Sequence, residues 1–460
     1  MRVKKNIPGR KNEQGFIITL VAVFMLFVVG AMAALAIDVV TLYTARSEAQ
    51  LAADSGALAG ARVLANSGMT SDTTGGLTAN AEITAVAVAT QVATHNWVGG
   101  TRLVNQQVTV SFTGDGAPPV NPHVTVVIQV KTLPTFFARI WGNQTLAVAT
   151  SATAEAYNPS ATGIAGGGGP PVAPICVKPW LLPNMDPTKT AAAAAPIFGS
   201  DGSISNPNLV GQTWPNASGA NPNLNGLYAL CGGDCSGGAI SPPAPGLYYP
   251  GAIDATDFPA PTQAVPACAA GFISYQMAVA GCVQQPISCG VSSAINPSTI
   301  NIDQTPYPNP GGRDADTVQA AGCLIHYSVP GGLPGDADGI DRAATPTPPF
   351  EFLGGNQNPV TGMQNKPVVV TDSLVTIPVI DLPNPPGSTP TFPTSPTVTV
   401  IGFLQVLLNP DPTAVFPPPL SPTQIPAMII NMAGCGTSAT GQPILGNGAS
   451  PVAVRLISPP

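Results

Sequence analysis

The chain contains few charged residues and very few histidines. Aspartate, glutamate, lysine and arginine together make up 8% of its 460 residues, against about 25% in a typical soluble protein. Three histidines, His95, His123 and His326, leave little material for nucleophile–base catalysis. The GxSxG motif and the P-loop are both absent, and Gly166–Gly169 is followed by prolines rather than by Lys-Ser or Lys-Thr. We therefore expect neither an enzyme nor a bound cofactor.

An apolar run of 22 residues without charge extends from Phe16 to Ile37. As a helix it would measure about 33 Å, long enough to cross a bilayer. A cleaved secretory signal is the alternative, but its apolar core is usually only about 7–15 residues long. Basic residues before the span place the N-terminus in the cytoplasm and residues 39–460 outside it. These basic residues are Arg2, Lys4, Lys5, Arg10 and Lys11.

The acidic residues of the chain lie mostly beyond this anchor. The net charge is −7 overall, and the first 15 residues carry five bases and one acid, which leaves −11 for the exported part. An acidic exported part argues against nucleic acid as a partner, and also against adhesion to anionic lipid head groups.

All eight cysteines lie in the exported part, which indicates disulfides formed in an oxidising compartment. They are Cys176, Cys231, Cys235, Cys268, Cys282, Cys289, Cys323 and Cys435. Eight cysteines allow 105 pairings, so the sequence does not give their connectivity. The alternative is a zinc site, but the two close pairs, Cys231 with Cys235 and Cys323 with His326, lack a second pair at matching spacing.

A second helical pattern follows the anchor directly. Small residues recur every three or four positions from Ala45 to Gly60, which predicts a helix over residues 39–66 with one narrow small-residue face. Residues 16–66 would then form one helix of about 75 Å. Gly56 and Gly60 form a GxxxG pair, which lets another backbone approach closely. The helix either packs on its own sheet through this face or bundles with neighbouring subunits.

Ten residues around the anchor stand in an order that resembles a known family. They are Gly15, Phe16, Asp38, Tyr43, Arg46, Gln50, Asp54, Ala57, Leu58 and Ala59. Together with the basic start and the apolar span, they resemble the TadE/TadG-like family of Flp pilus-assembly proteins. The resemblance covers residues 10–66 and extends only loosely to the C-terminal half.

The resemblance implies a component of the tight-adherence (Tad) machinery, which supports Flp pilus formation, surface attachment and biofilm. It implies a location in the bacterial inner membrane and no catalysis. The implied partners are other Tad-system proteins, namely pilin-like subunits and the assembly platform. Prepilin peptidases cut between Gly and Phe and usually require Glu at the fifth mature position, where this chain has Leu20. A permanent anchor is therefore favoured over a polymerised pilin.

We predict an α+β fold in which the single transmembrane helix continues into a pilin-like helix plus antiparallel sheet, followed by a β-rich, loop-rich C-terminal domain. Residues 81–93 fit either a helix or a strand. Alternation predicts strands at 107–112, 123–130, 144–157, 367–382, 398–408 and 427–434. The predicted divisions are a cytoplasmic basic tail at 1–15, the transmembrane helix at 16–37, the pilin-like helix and sheet at 38–158, a Gly/Pro linker at 159–175 and the exported domain at 176–460.

Two motifs of the exported domain resemble metal sites. Asp336, Asp338 and Asp341 supply carboxylates of the kind that calcium binds, although the EF-hand spacing fails, and the alternative is a solvated acidic turn. Asp201-Gly-Ser203-Ile-Ser205 matches the DxSxS motif of von Willebrand A domains, but the strand–helix repeats of that fold are missing, which favours a surface turn. The alternative function is a surface adhesin whose C-terminal domain binds an external ligand, with or without calcium.

Overall fold

The structure is a computed structural model of the chain. It describes residues 12–116, 121–135, 145–162, 172–189, 195–199, 202–214, 228–229, 247–253, 268, 270–287, 289, 299–303, 312–327, 332–341, 348–381, 397–417, 424–435, 444–445 and 450–457. Several predictions lie outside these residues: the basic tail up to residue 11, the glycine run at 166–169, Asp201, Cys231 and Cys235.

One continuous helix, α1 (Asn12–Asn66), carries the apolar span and the small-residue face. Large apolar side chains of the span are exposed, and Phe27 is 76% exposed. By length and composition, α1 could cross a membrane. The sequence therefore correctly predicted one uninterrupted N-terminal helix, although it begins four residues earlier than expected.

The chain divides into two compact units. The first unit comprises the described residues within Met1–Gly56, Thr90–Val110 and Val126–Ala152. Beyond the apolar span, four alanines of α1 are buried there, and three of them, Ala45, Ala49 and Ala52, belong to the predicted small-residue face. A short hairpin of β1 (Trp97–Val98) and β2 (Thr101–Arg102) belongs to the same unit. The four alanines are Ala45, Ala49, Ala52 and Ala53.

The second unit comprises the described residues within Ala57–Ala89, Ser111–Thr125 and Thr153–Pro460. The second helix, α2 (Thr78–Thr94), begins in this unit and ends in the first. It decides the ambiguity at residues 81–93 in favour of a helix.

A four-stranded sheet follows α2 in the chain and has the strand order β19-β5-β4-β3. Its strands are β3 (Val108–Thr113), β4 (His123–Pro134), β5 (Thr145–Tyr157) and β19 (Ala453–Ile457). The first three confirm the predicted strands. The fourth was not predicted, and it pairs antiparallel with β5 from Ala453–Tyr157 to Ile457–Thr153.

The largest sheet lies in the second unit and has the order β8-β17-β16-β15-β7-β10-β9, with β11 paired to β16. Its long antiparallel strands lie in the three late segments predicted as strands, although the one predicted at 367–382 begins only at Leu374. They are β15 (Leu374–Asp381), β16 (Thr397–Leu408) and β17 (Ala427–Gly434). The shorter strands are β7 (Trp180–Pro183), β8 (Thr213–Trp214), β9 (Tyr228–Ala229), β10 (Leu247–Pro250) and β11 (Thr299–Asn301).

The rest of the described second unit adds two short helices and two small sheets. The helices α3 (Ser274–Ala280) and α4 (Gly312–Leu324) pack against each other and were not predicted. The small sheets pair β6 (Val172–Ala173) with β18 (Ile444–Leu445), and β12 (Gly339–Ile340) with β13 (Phe352–Leu353) and β14 (Pro367–Val368). The architecture is therefore α+β, as predicted.

Among the residues that the structure describes, three disulfides join six cysteines. They are Cys176–Cys282, Cys268–Cys323 and Cys289–Cys435. All three bonds lie in the second unit and close loops between segments that are far apart in the chain. Cys323, one member of the close Cys–His pair, is thus bonded to another cysteine, which removes it as a zinc ligand.

Residues at both ends of the predicted linker form regular secondary structure. Pro159–Thr162 forms a 3₁₀ helix, and Val172 and Ala173 are buried in β6. The second unit also includes helix and strand residues from before the linker. A glycine- and proline-rich composition indicates a flexible chain. It does not show that residues within such a segment pair with a distant strand, as β6 does with β18.

Candidate functional site

The ten motif residues all lie on α1, and they are divided between the two units. Phe16 and Tyr43 are exposed, whereas Asp38 is only 4% exposed. Gln50 donates from Nε2 to Asp54 Oδ1 at 2.8 Å, an i,i+4 hydrogen bond along the helix. The same Nε2 lies 3.2 Å from the carbonyl oxygen of Ser151 on β5. The motif therefore combines exposed positions with polar groups that fix α1 against the first unit.

The last three motif residues, Ala57, Leu58 and Ala59, lie at the start of the second unit. Arg46 is exposed on the preceding turns, Ala57 is fully buried, and Leu58 and Ala59 are half-buried. Gly15 begins the motif next to the apolar span within the described backbone of α1.

Gly60 occupies the closest contact of α1 in the second unit. A Cβ atom at this position would lie 2.9 Å from Val124 Cγ1 and 3.3 Å from Ala89 Cβ, closer than side chains normally pack. The glycine thus allows α1 to approach α2 and β4 of its own chain, which fits the first of the two interpretations of the small-residue face. Gly56, its partner in the GxxxG pair, is buried as well.

The end of α1 enters a buried polar network with the large sheet. Asn431 on β17 donates from Nδ2 to the carbonyl oxygen of Ala65 at 2.6 Å and to Thr70 Oγ1 at 3.0 Å. Its Oδ1 accepts from the hydroxyl of Ser71 and from the N–H of Met432, the latter at 2.8 Å. Asn431 is fully buried, so each of these bonds replaces water that the site excludes.

Three further amides extend the network. Gln405 on β16 donates from Nε2 to Asn66 Oδ1 at 3.2 Å, and Asn66 donates to the carbonyl oxygen of Val369 at 3.0 Å. Asn158 donates from Nδ2 to the carbonyl oxygen of Met432 at 2.8 Å. The end of the anchor helix is therefore hydrogen-bonded directly to the strands at the centre of the second unit.

Sequence reasoning missed this network. The available signal was a single amide within an otherwise apolar strand, Gln405 in VTVIGFLQVLL and Asn431 in AMIINMAG. A buried amide in such a strand requires partners, although the sequence does not say which groups supply them.

Asp338 organises a loop instead of presenting its carboxylate to solvent. The side chain is 1% exposed, so the predicted solvated turn is wrong at this residue. Its Oδ1 accepts from the N–H of Gly355 at 2.7 Å and from Asn358 Nδ2 at 3.0 Å. Its Oδ2 accepts from Thr371 Oγ1 at 2.5 Å. These bonds hold the segment around β13 and β14 in place.

The other two calcium candidates do not join Asp338 as a ligand set. Asp336 Oδ2 accepts from the N–H of Leu333 at 2.7 Å, and the backbone N–H of Asp341 bonds to the carbonyl oxygen of Glu351. No group of three acidic, histidine or cysteine side chains is arranged for a metal ion within the described residues.

The described part of the DxSxS match forms a tight turn. Gly199 donates its N–H to the carbonyl oxygen of Ser203 at 2.8 Å, and Phe198 and Ile204 form an isolated antiparallel bridge. Ser205 is followed by a three-residue 3₁₀ helix, Pro207–Leu209, rather than by the α-helix of a von Willebrand A domain. A turn, as expected, is the arrangement at Ser203 and Ser205.

Lys178 is a buried cation beside the Cys176–Cys282 disulfide. Its Nζ donates to the carbonyl oxygens of Val279 at 2.7 Å and Gly281 at 2.6 Å. Burial lowers the pKa of Lys178 to about 7, while the charge of Asp372 acts in the opposite direction. Asp372 in turn contacts His326 at 3.0 Å.

The lowered pKa of Lys178 predicts a pH-dependent stability. Below pH 7 the folded protein must bury the charged amine, whereas the unfolded chain keeps its amine charged up to about pH 10.5. The free energy of unfolding should therefore rise as pH increases from 7 to 10. Urea titrations should show this rise in the natural chain and a flatter profile in Lys178→Met. The matched control is Lys189→Met at an exposed position, which should keep the pH dependence of the natural chain. If the free energy of unfolding depended on pH equally in both variants, the assignment to Lys178 would be wrong.

Residues 15–63 match the protein-family model Tad, described as "Putative Flp pilus-assembly TadE/G-like". No curated protein and no solved structure matches the chain. The matched range begins one residue before the apolar span and ends near the buried end of α1. The segment that contains the apolar span and the small-residue face is therefore similar to the TadE/G-like family of Flp pilus assembly.

Proposed function

We propose that the protein is a membrane-anchored, non-catalytic component of Flp pilus assembly that supports pilus formation and surface adhesion. Its α1 crosses the inner membrane with the N-terminus in the cytoplasm, and both units lie on the outer side. The protein works together with pilin-like subunits and the assembly platform of the Tad system.

One observation carries this proposal: a single helix contains the family match and the exposed apolar span, and it ends in the polar network around Asn431. A helix attached only by a flexible linker would tether the exported part without transmitting force. Hydrogen bonds from β16 and β17 to the last turn of α1 instead make the anchor part of the folded second unit. Such a connection suits a protein that holds assembly partners at the membrane against mechanical load.

A clean gene deletion tests the proposal. We expect the deletion strain to lose both surface pili, seen by electron microscopy, and attachment to glass. The natural gene supplied in trans should restore both, whereas a copy lacking residues 1–37 should restore neither. Normal pili with lost attachment would instead favour an adhesin that acts through the second unit. Normal pili and normal attachment would contradict the proposal.

A further inference from the structure

Folded protein covers one side of α1 before the apolar run ends. Ala34 is 6% exposed and Asp38 is 4% exposed, and both residues belong to the first unit. They are four positions apart, so their side chains lie on the same side of the helix. Ala34 lies three residues, or about 4.5 Å, inside the end of the apolar run at Ile37. The covered side of α1 therefore reaches into the segment that the anchor would place in lipid.

The other sides of α1 are exposed at the same level. Leu35 is 60% exposed, and Ala33 and Ala36 are exposed as well. Ala33 and Ala34 have the same side chain and stand next to each other in one helix, so the helix itself does not explain why only Ala34 is buried. This turn of α1 thus has one side against folded protein and its other sides open to the surroundings.

The end of the four-stranded sheet lies directly beyond this covered turn. Leu133, near the end of β4, and Leu146, near the start of β5, line a cavity of about 290 Å³ together with residues of α1 that include Thr41 and Ala45. Thr41 and Ala45 stand about 5 Å and about 10 Å beyond Asp38 along the helix. The interfacial layer on each side of the hydrocarbon core of a bilayer is roughly 5–8 Å thick. When α1 crosses the bilayer, these strand ends are therefore level with the lipid head groups.

A hydrogen bond further along β5 gives the direction of this strand. Gln50 Nε2 donates to the carbonyl oxygen of Ser151 at 3.2 Å, and Gln50 stands about 18 Å beyond Asp38 along α1. Leu146, five residues earlier in β5, lines the cavity, which lies nearer to the span. The strand therefore runs away from the span, and its first residue, Thr145, is at its membrane-facing end.

The groups at this end of the sheet suit the interfacial layer of a bilayer. Thr145 on β5 and both Lys131 and Thr132 on β4 are exposed. Backbone N–H and C=O groups at the end of a strand need hydrogen-bond partners, which water, glycerol esters and head groups provide but acyl chains do not. The long apolar stem of a lysine lets its amine reach the phosphates from such a position. The strand ends are thus suited to the level of the head groups and not to the hydrocarbon core.

We propose that the first unit is set into the adjoining leaflet, where it replaces lipid along one side of α1 and its strand ends contact phospholipid head groups. On the covered side lipid ends near Ala34, whereas elsewhere around the helix it continues to Ile37. Phospholipid is the partner because a helix that crosses the bilayer holds these strand ends within the interfacial layer. The contact depends on depth and not on lipid charge, so it agrees with the negative charge of the exported part. This inference rests on the membrane anchor of the proposed function.

A matched pair of cysteine variants tests the inference on the full chain in phosphatidylcholine vesicles. Ala33→Cys and Ala34→Cys place the same thiol on two sides of one turn, and the natural chain, whose described cysteines form disulfides, is the blank. A nitroxide near the top of the acyl chain should quench a fluorophore on Ala33→Cys, which would place this turn within the leaflet. N-ethylmaleimide should modify Ala33→Cys about fivefold faster than Ala34→Cys, because only the second thiol is covered. The rates should become equal in sodium dodecyl sulfate, and equal rates in vesicles would overturn the inference.

A second pair of variants tests the level of the strand ends. Thr145→Cys places a fluorophore at the start of β5, and Gln91→Cys places one at an exposed position of α2. Asn96, just past the end of α2, donates from Nδ2 to Ser55 Oγ at 3.3 Å, about 25 Å beyond Asp38 along α1. A nitroxide on the lipid head group should quench the fluorophore at Thr145 and leave the one at Gln91 unquenched. Equal quenching at both positions, or none at Thr145, would overturn the inference.

Two further measurements separate this inference from the anchor itself and from self-association. A fluorophore on Phe27→Cys, in the middle of the span, should be quenched by a nitroxide at the end of the acyl chain. Quenching at Phe27 without quenching at Ala33 would overturn this inference alone, whereas no quenching at Phe27 would overturn the proposed anchor as well. Protection of Ala34→Cys that disappears as the protein is diluted with lipid would mean that a second copy covers α1, and it would also overturn the inference.

Discussion

Gly60→Leu is expected to destabilise the second unit by about 3 kcal/mol, the upper end of the usual cost of overpacking. The new side chain would have to enter the space that Val124 and Ala89 already fill, and both residues are fully buried. Thermal unfolding of the purified full chain should begin several degrees lower. In cells, the variant should accumulate poorly and assemble few pili. Gly56→Leu, at the other buried glycine of the pair, should have an effect in the same direction.

The matched control for this substitution is Gly30→Leu in the same helix. A Cβ atom at Gly30 meets nothing within 4 Å, so the larger side chain has open space. This variant should keep the stability and pilus number of the natural protein. Normal abundance and normal pili in Gly60→Leu would show that the close approach of α1 to α2 and β4 does not matter for function.

Asn431→Ala should cost about 3 kcal/mol, because it removes several buried hydrogen bonds at once. The carbonyl oxygen of Ala65 and the hydroxyl of Ser71 both lose their bonds to the Asn431 amide. We expect the last turn of α1 to exchange its amide hydrogens faster while the span stays in the membrane. Hydrogen exchange measured by mass spectrometry, together with pilus counts, would report this change.

Asn80→Ala is the control for that prediction. Asn80 is an exposed residue of α2 in the second unit, and alanine favours a helix. It should leave hydrogen exchange at the end of α1 and pilus number unchanged. Unchanged exchange in Asn431→Ala would mean that the network does not hold the anchor helix.

Hydropathy and periodicity were sufficient to predict the helices and strands that bury one continuous face. The apolar span and the small-residue face together predicted α1, and the strands β16 and β17 were predicted to within one residue. The strand predicted at 367–382 is instead divided between β14 and β15. These signals are local, so a window of sequence contains all the information that they need.

The elements that were missed depend on distant partners. The helix α4 has few large apolar residues, and it is held by packing on α3 and by the Cys268–Cys323 disulfide. The strand β19 is only five residues long, and its place beside β5 is fixed by backbone pairing and by Arg455, whose Nε donates to Glu155 Oε2 at 2.8 Å. A local pattern cannot indicate such a pairing, because the partner lies elsewhere in the chain.

The same strand has a consequence for biosynthesis. Arg455 and Glu155 are 300 residues apart, so the sheet that begins at β3 cannot be completed until residues 453–457 have been synthesised. Until then the edge of β5 is open and can pair with other extended chains. A late-closing sheet of this kind exposes incomplete products to proteolysis, and only molecules in which β19 has paired with β5 have the complete sheet.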